Sequence, residues 1–130
     1  MKTVLFICIH NAGRSLMAEA FFNHMAQGKA RALSAGLQPA DKINPVAAQA
    51  MNEVGLDISR NKPKLLTPEM MEGVGKAITM GCEDVCPVTT VETENWEVGD
   101  PKNKPIESVR KIRDDIKTRI IDLIKEIIEE

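Results

Sequence analysis

Aromatic residues are scarce in this sequence, which has one tryptophan, three phenylalanines and no tyrosine among 130 residues. Long apolar runs are lacking too, since none approaches the roughly 18 residues of a membrane span. The stretch from Val4 to Ile7 is too short for a secretory signal and has no cleavage site after it. The formal net charge of -2 gives no indication of a nucleic-acid-binding surface. We therefore expect a cytoplasmic protein with neither a membrane nor a nucleic-acid partner.

Cysteine is also scarce, with three residues in the whole chain. A small disulfide-stabilised protein usually carries an even and larger number of cysteines. Here Cys8 stands alone near the start, and Cys82 and Cys86 lie four positions apart. This pattern favours redox chemistry or metal binding over a disulfide scaffold, and it agrees with a reducing compartment.

Short apolar runs alternate with amphipathic stretches along the chain. The runs predict strands over residues 2–7, 30–33, 75–80 and 88–96. Helical periodicity, caps and proline positions predict helices over residues 15–27, 45–54, 68–72 and 106–127. Asp115 and Arg119 are an expected ion pair on the last helix. The alternation predicts an α/β protein with a four-stranded parallel sheet flanked by helices, and we expect residues 1–130 to form one domain.

Parallel sheets bind ligands at the carboxyl ends of their strands. Cys8 ends the first predicted strand, and Cys82 lies just past the third. Two cysteines that are far apart in sequence are therefore expected at one edge of the sheet.

The segment after the first predicted strand has the residue types of an anion site. It reads Cys8-Ile9-His10-Asn11-Ala12-Gly13-Arg14-Ser15. A loop that runs into a helix N-terminus favours negative charge, and the planar fork of Arg14 can hold two oxygens of a tetrahedral oxyanion. The same field favours the thiolate of Cys8, to which Ser15 can donate a hydrogen bond. Asn11 tolerates left-handed backbone angles. A buried structural cysteine beside a surface arginine is the alternative.

This segment resembles the phosphate-binding loop of the low-molecular-weight protein tyrosine phosphatase superfamily, and more closely that of the thioredoxin-coupled arsenate reductases with the same fold. Further matching segments are Ser15 to Glu19, Ser34-Ala35-Gly36 after the second strand, Asn44-Pro45, Cys82, and Asp100-Pro101. The resemblance covers nearly the whole chain. It implies that fold, with the phosphate-binding loop after the first strand, and reduction of arsenate at Cys8.

The resemblance implies a relay of three thiols and no cofactor. Cys82 attacks Cys8 and releases arsenite, then Cys86 attacks Cys82, and thioredoxin or a similar dithiol protein reduces the last disulfide. Two alternatives remain for Cys82 and Cys86. They could belong to a zinc site, although the sequence offers few further ligands, or they could be two inert cysteines of the core. The spacing of Cys82 and Cys86 is shorter than in the best-known family members, and Pro87 follows directly. Both features leave the order and mobility of the relay open.

Asp100 occupies the position at which the superfamily has a general acid, although an aspartate before a proline is also a common turn device. Phosphatases of the eukaryotic type carry aromatic residues after this Asp-Pro pair, whereas Lys102 and Asn103 follow here. The missing aromatic wall favours a small oxyanion such as arsenate over phosphotyrosine. Trp96 lies nearby in sequence and weakens this argument slightly.

Some relatives in this superfamily bind potassium beside the loop. Asn11, Glu19 and Ser34 match three of the side-chain positions, and Lys64 stands where those relatives have an aspartate. A lysine ammonium can take the place of the cation, so no metal is predicted. We expect Asn11, Ser15, Glu19 and Ser34 to support the loop, with a merely solvated Glu19 as the alternative.

Three functions remain after this reading. The first is reduction of arsenate to arsenite with electrons from thioredoxin or a similar dithiol protein, accompanied by weak phosphatase activity. The second is hydrolysis of phosphotyrosine or small phosphoesters by a low-molecular-weight phosphatase. The third is a non-catalytic module that binds oxyanions or senses redox state.

Overall fold

The computed structural model describes residues 2–81 and 91–128. Four strands form one parallel sheet: β1 (Lys2–Cys8), β2 (Ala30–Gly36), β3 (Lys76–Met80) and β4 (Thr93–Trp96). Their order across the sheet is β2-β1-β3-β4. Four helices accompany them: α1 (Arg14–Ala26), α2 (Pro45–Asn52), α3 (Pro68–Met71) and α4 (Ile106–Ile128). The predicted α/β class with a four-stranded parallel sheet is therefore confirmed.

The central position of β1 follows from its composition. Six of its seven residues are buried, as expected for a strand of a parallel sheet that is covered on both faces. On one face, Phe6 and Ile78 belong to a core that contains Phe22 of α1 and Ile116 of α4. On the other face, Leu5, Ile7, Ala35 and Ala77 form a smaller cluster, against which Leu66 and the methionines of α3 pack. The two cores hold the carboxyl end of β1 between them.

The predicted elements agree with the structure except at several boundaries. The prediction placed Ser34-Ala35-Gly36 after the second strand, but these residues are its last three, because pairing with β1 continues to Cys8 opposite Gly36. Helix α2 ends at Asn52, earlier than predicted, because the Leu56 and Gly55 N–H groups donate back to Met51 and Asn52 and reverse the chain.

Strand β4 begins at Thr93, and the predicted start at residues 88–90 lies outside the described residues. At the other end of the chain, the expected ion pair on α4 is present, with Arg119 Nε 3.1 Å from Asp115 Oδ1. Across residues 2–81 and 91–128, no helix is both long and apolar enough to cross a membrane.

Candidate active site

The carbonyl groups of the loop after β1 are hydrogen-bonded to a neighbouring segment of the chain. The carbonyl oxygens of Cys8, Ile9, His10 and Ala12 accept hydrogen bonds from the segment that follows β2. The donors are the N–H groups of Leu37 (3.2 Å), Gln38 (2.8 Å), Ala40 (3.0 Å) and Asn44 (2.7 Å). We call residues 37–44 the clamp segment. It fixes the conformation of the loop through four main-chain contacts.

These contacts also orient the loop amides. All described peptide bonds are trans, and in a planar trans peptide the carbonyl and the following N–H point in opposite directions. Carbonyls that are turned outward therefore turn the next N–H groups inward. The N–H of Asn11, which follows the captured carbonyl of His10, lies 3.2 Å from Cys8 Sγ. The loop thus presents donors to a cleft, as an anion-binding loop requires.

A chain of hydrogen bonds ends at the sulfur of Cys8. The main-chain N–H of Lys64 donates to Asn11 Oδ1 at 2.9 Å, which fixes the orientation of this side-chain amide. Asn11 Nδ2 then donates to Ser15 Oγ at 2.7 Å. Because Ser15 Oγ already accepts this bond, its proton is free to be donated to Cys8 Sγ, 2.9 Å away. This arrangement places the Ser15 hydroxyl where it can donate to the sulfur of Cys8, the contact that the sequence analysis predicted.

The backbone of Asn11 contributes as well. Its φ is 49°, in the left-handed region that asparagine tolerates, as the sequence predicted. On the neighbouring strand, a side chain at Gly36 would lie 2.8 Å from Ile9 O and 2.9 Å from Asn11 N. Gly36 therefore allows the loop to approach the end of β2.

Arg14 is the first residue of α1 and is 8% exposed, which is unusual for an arginine. Its Nη1 donates to the carbonyl of Val98 at 3.3 Å, and its Nη2 lies 3.7 Å from Asp100 Oδ2. A third side of the guanidinium lies against Gly81, at the end of β3. Contacts from two segments, the end of β3 and the stretch after β4, thus hold this cation at the cleft.

Asp100 is half-exposed and lines the same cleft as Cys8 and Arg14. Its Oδ1 accepts from the Lys102 N–H at 3.0 Å, so the residue also shapes its own turn, as the alternative interpretation proposed. The next residue, Pro101, packs against the loop after β1 (residues 8–15), which we call the oxyanion loop. A side chain at Gly13 of this loop would lie 2.7 Å from Pro101 Cγ. The Asp-Pro turn is thereby joined to the loop.

The cleft has a volume of about 670 Å³. Its described lining comes from the oxyanion loop, the clamp segment with the start of α2, and the Asp-Pro turn: Cys8, His10, Ala12–Arg14, Gln38–Val46 and Asp100–Lys104. None of these is phenylalanine, tryptophan or tyrosine, and residues 82–90 contain no such residue either. Trp96 is 4% exposed and packs on Phe6 with a centroid distance of 5.8 Å, so it does not wall this cleft.

The similarity of the chain to known proteins extends over nearly its whole length. The family model described as low molecular weight phosphotyrosine protein phosphatase matches residues 3–130. The chain belongs to this phosphatase family. The predicted family is thereby confirmed.

Several relatives in this phosphatase family are named for another reaction. An arsenate reductase of Staphylococcus epidermidis is 36% identical over 124 residues, which are 92% of this chain and 93% of the relative. A solved arsenate reductase in the phosphate binding state aligns with a TM-score of 0.88 at 33% identity over 98% of this chain and 99% of the other.

A third relative is a thioredoxin-dependent arsenate reductase of Corynebacterium glutamicum, with a TM-score of 0.84 and 39% identity. The alignment covers 98% of this chain but 62% of that one, so this chain spans less than two thirds of it. A low molecular weight protein tyrosine phosphatase from T. tengcongensis aligns with a TM-score of 0.85 at 26% identity.

The residues predicted to support the phosphatase-family loop lie close together. Burial raises the pKa of the Glu19 carboxyl, while the positive charge of Lys64 and the neighbouring Ser34 act in the opposite direction. Ser34 Oγ is fully buried and has no hydrogen-bond partner of good geometry among the described residues. The positive charge of Lys64 thus acts on Glu19. The prediction from the sequence is that the ammonium group of Lys64 takes the place of the potassium ion that some relatives bind beside this loop.

Cys82 and Cys86, which were predicted as the second and third thiols, lie outside the described residues, and so does the alternative zinc site that they would form. Gly81, the residue before Cys82, lies against Arg14, and β3 is hydrogen-bonded to β1 with Ile7 opposite Thr79. Gly81 therefore lies at the edge of the sheet at which Cys8 lies.

Sequence reasoning did not identify three contributors to the site. These are the clamp segment, Gly81, and Val98, whose carbonyl binds Arg14. The clamp segment and Val98 act through main-chain atoms. Since residues of every type carry these atoms, the sequence does not reveal such contacts. Gly81 could have been noticed as a glycine at the end of a strand, directly before a candidate catalytic cysteine.

Proposed function

We propose that this protein is an arsenate reductase that uses Cys8 as the nucleophile and Cys82 and Cys86 as a thiol relay, with thioredoxin or a similar dithiol protein as electron donor. The observation that carries the proposal is the position of Cys8. Its sulfur lies 2.9 Å from Ser15 Oγ and 3.2 Å from the Asn11 N–H, in a cleft that also holds Arg14.

The first step is the capture of arsenate. Inward N–H groups of the loop and the guanidinium of Arg14 hold the oxyanion, and the Cys8 thiolate attacks arsenic. One arsenate oxygen leaves as water, and Asp100 is placed to supply a proton because it lines the cleft beside Arg14. The product of this step is a covalent adduct in which arsenic is bound to the Cys8 sulfur and is still pentavalent.

The second step transfers two electrons. The Cys82 thiolate attacks the Cys8 sulfur, the sulfur–arsenic bond breaks, and its electron pair leaves with arsenic as arsenite. A Cys8–Cys82 disulfide remains. Cys86 then attacks Cys82, which releases Cys8 and leaves a Cys82–Cys86 disulfide for the external dithiol protein. The name of the thioredoxin-dependent relative supports this choice of donor.

The lining of the cleft supports a small substrate. A phosphotyrosine ring gains much of its affinity from aromatic or apolar walls, and the described lining here contains polar side chains, prolines and aliphatic residues instead. Trp96 lies near Asp100 in sequence, but it is buried in the core and does not supply an aromatic wall for the cleft. An inorganic oxyanion requires only the loop donors and Arg14.

The relay is tested by exchanging its thiols one at a time. Cys82→Ser and Cys86→Ser should each reduce steady-state arsenate reduction with a thioredoxin system by about 100-fold or more, because the disulfide can no longer pass outward. Consumption of the reductant NADPH by the coupled thioredoxin reductase is the measurement, and Cys8→Ser is the negative control. Both serine variants should still bind phosphate, which shows that the oxyanion site is intact.

Multi-turnover reduction by either serine variant at the wild-type rate would rule out the relay. Phosphatase activity is the second candidate function, since the family model and the T. tengcongensis phosphatase both match this chain. Hydrolysis of para-nitrophenyl phosphate much faster than arsenate reduction would favour it. Phosphate binding without either turnover would instead favour a non-catalytic oxyanion-binding module.

A further inference from the structure

A side chain at Gly81 would overlap the position that the guanidinium of Arg14 occupies. A Cβ atom built on Gly81 would stand 2.8 Å from Arg14 Cζ and 3.2 Å from Nη2, and it would be closer still to Nη1. Carbon and nitrogen atoms that are not bonded to each other do not approach so closely, so a side chain here would have to displace the guanidinium. Gly81 also has a φ of +81°, which only glycine adopts readily.

The contact with Arg14 distinguishes Gly81 from the other described glycines of similar backbone conformation. Gly28, Gly55 and Gly73 have φ values of +81°, +83° and +76°, and a Cβ on any of them would meet nothing within 4 Å. Those three glycines are explained by their turns alone. At Gly81, the backbone conformation and the space taken by another side chain both require glycine.

The guanidinium has little room to move away from such a side chain. Its Nη1 is bound to the Val98 carbonyl at 3.3 Å, its Nη2 faces Asp100 at 3.7 Å, and the residue is 8% exposed. Arg14 also begins α1, so its backbone is fixed by the helix. A displaced guanidinium would lose these contacts and would no longer lie where it can face an oxyanion in the cleft.

We propose that Gly81 is a positioning residue of the oxyanion site, because the absence of a side chain there provides the space in which the guanidinium of Arg14 lies. The inference deepens the proposed function and rests on the same oxyanion site. Gly81 does not line the cleft. It acts through Arg14, and its effect is on oxyanion affinity.

The first test compares two alanine variants of the reduced protein by isothermal titration calorimetry with inorganic phosphate. Gly81→Ala and Gly28→Ala introduce the same methyl group at the same φ of +81°, but only the first meets Arg14. Gly81→Ala should raise the dissociation constant of phosphate about tenfold or more, because hydrogen bonds to a charged group are lost, and Gly28→Ala should change it less than about twofold. Equal effects of the two variants, or none for Gly81→Ala, would overturn the proposal.

The second test needs neither ligand nor turnover. Urea unfolding should show that Gly81→Ala destabilises the protein more than Gly28→Ala does, and that this excess disappears when Arg14 is also changed to alanine. A Gly81→Ala protein that folds only in the Arg14→Ala background would support the proposal, whereas failure to fold in both backgrounds would refute it. Because the wild-type protein must bind phosphate if the proposed function is correct, absent binding would contradict that function, while the unfolding experiment still tests Gly81.

Discussion

Ser15 shows how one hydroxyl can link a structural network to a reactive group. It accepts a hydrogen bond from Asn11 Nδ2 at 2.7 Å and lies 2.9 Å from Cys8 Sγ. Asn11 is in turn held by the main chain at Lys64. The orientation of the hydroxyl proton toward sulfur is therefore set by the side chain of Asn11 and, through it, by the main chain at Lys64.

Replacing Ser15 by alanine should slow alkylation of Cys8 by iodoacetamide about tenfold at neutral pH, since a hydrogen bond to a charged sulfur is worth about 1.5–3 kcal/mol. The experiment requires Cys82→Ser and Cys86→Ser in the same chain, so that Cys8 is the sole thiol. Ser108→Ala on α4 is the matched control and should leave the rate unchanged. An unchanged rate in Ser15→Ala would show that the hydroxyl does not stabilise the sulfur anion.

At the scale of elements, β4 is tied to its neighbours by a cluster of charges. Lys76 of β3 is largely buried, and its Nζ lies 2.9 Å from Glu94 of β4 and 3.0 Å from Glu126 of α4. Burial acts to lower the pKa of Lys76, but the hydrogen bonds with the two carboxylates raise it overall. The hydrogen bond with Lys76 lowers the pKa of Glu94 below its usual 4.5.

The sign of the Glu94 shift predicts how stability depends on pH. A carboxyl whose pKa is lower in the folded chain stabilises the fold above its unfolded value of 4.5, and this contribution is lost as pH falls through the lower folded value. Glu94→Gln should therefore cost about 0.5 kcal/mol at pH 7, a modest amount because Glu94 is half-exposed.

Urea unfolding between pH 7 and pH 3 measures this dependence. The difference between Glu94→Gln and the wild type should shrink toward the acid end of the range, and Lys76→Met should remove it at every pH. A difference that stays constant with pH, or that persists in the Lys76→Met background, would contradict the assignment to this ion pair.

At the scale of the whole molecule, the cleft is assembled from segments that are distant in sequence. The oxyanion loop, the clamp segment and the Asp-Pro turn all line it, and Arg14 is also held by the ends of β3 and β4. An anion bound in the cleft would therefore interact with a large part of the fold. Binding is expected to stabilise the protein as a unit.

Inorganic phosphate at 100 times its dissociation constant should raise the free energy of unfolding by about 2.7 kcal/mol, which corresponds to several degrees in Tm. Differential scanning calorimetry at constant ionic strength, with chloride in place of phosphate as the reference, measures the shift. Arg14→Ala should abolish it, because the variant lacks the cation of the site. A similar shift in Arg14→Ala would mean that phosphate binds elsewhere.

The predicted features share one property, which is that short stretches of chain encode them. Alternating apolar runs predict the α/β class, and the short spacing between Cys8, Asn11, Arg14 and Ser15 predicts an anion-binding loop. The error at Ser34-Ala35-Gly36 had a physical cause, because small residues with weak strand preference were carried into β2 by pairing with β1.

The sequence by itself determined the family, the order of the elements and the reactive loop, because each depends on residue types that are close together along the chain. Only the tertiary structure established that the clamp segment turns the loop carbonyls outward, and that Gly81 and Val98 confine Arg14. Those contacts are made between residues far apart in sequence. They involve main-chain atoms or, at Gly81, the space that is left where a side chain is missing. They arise when the segments pack together, and residue type alone does not reveal them.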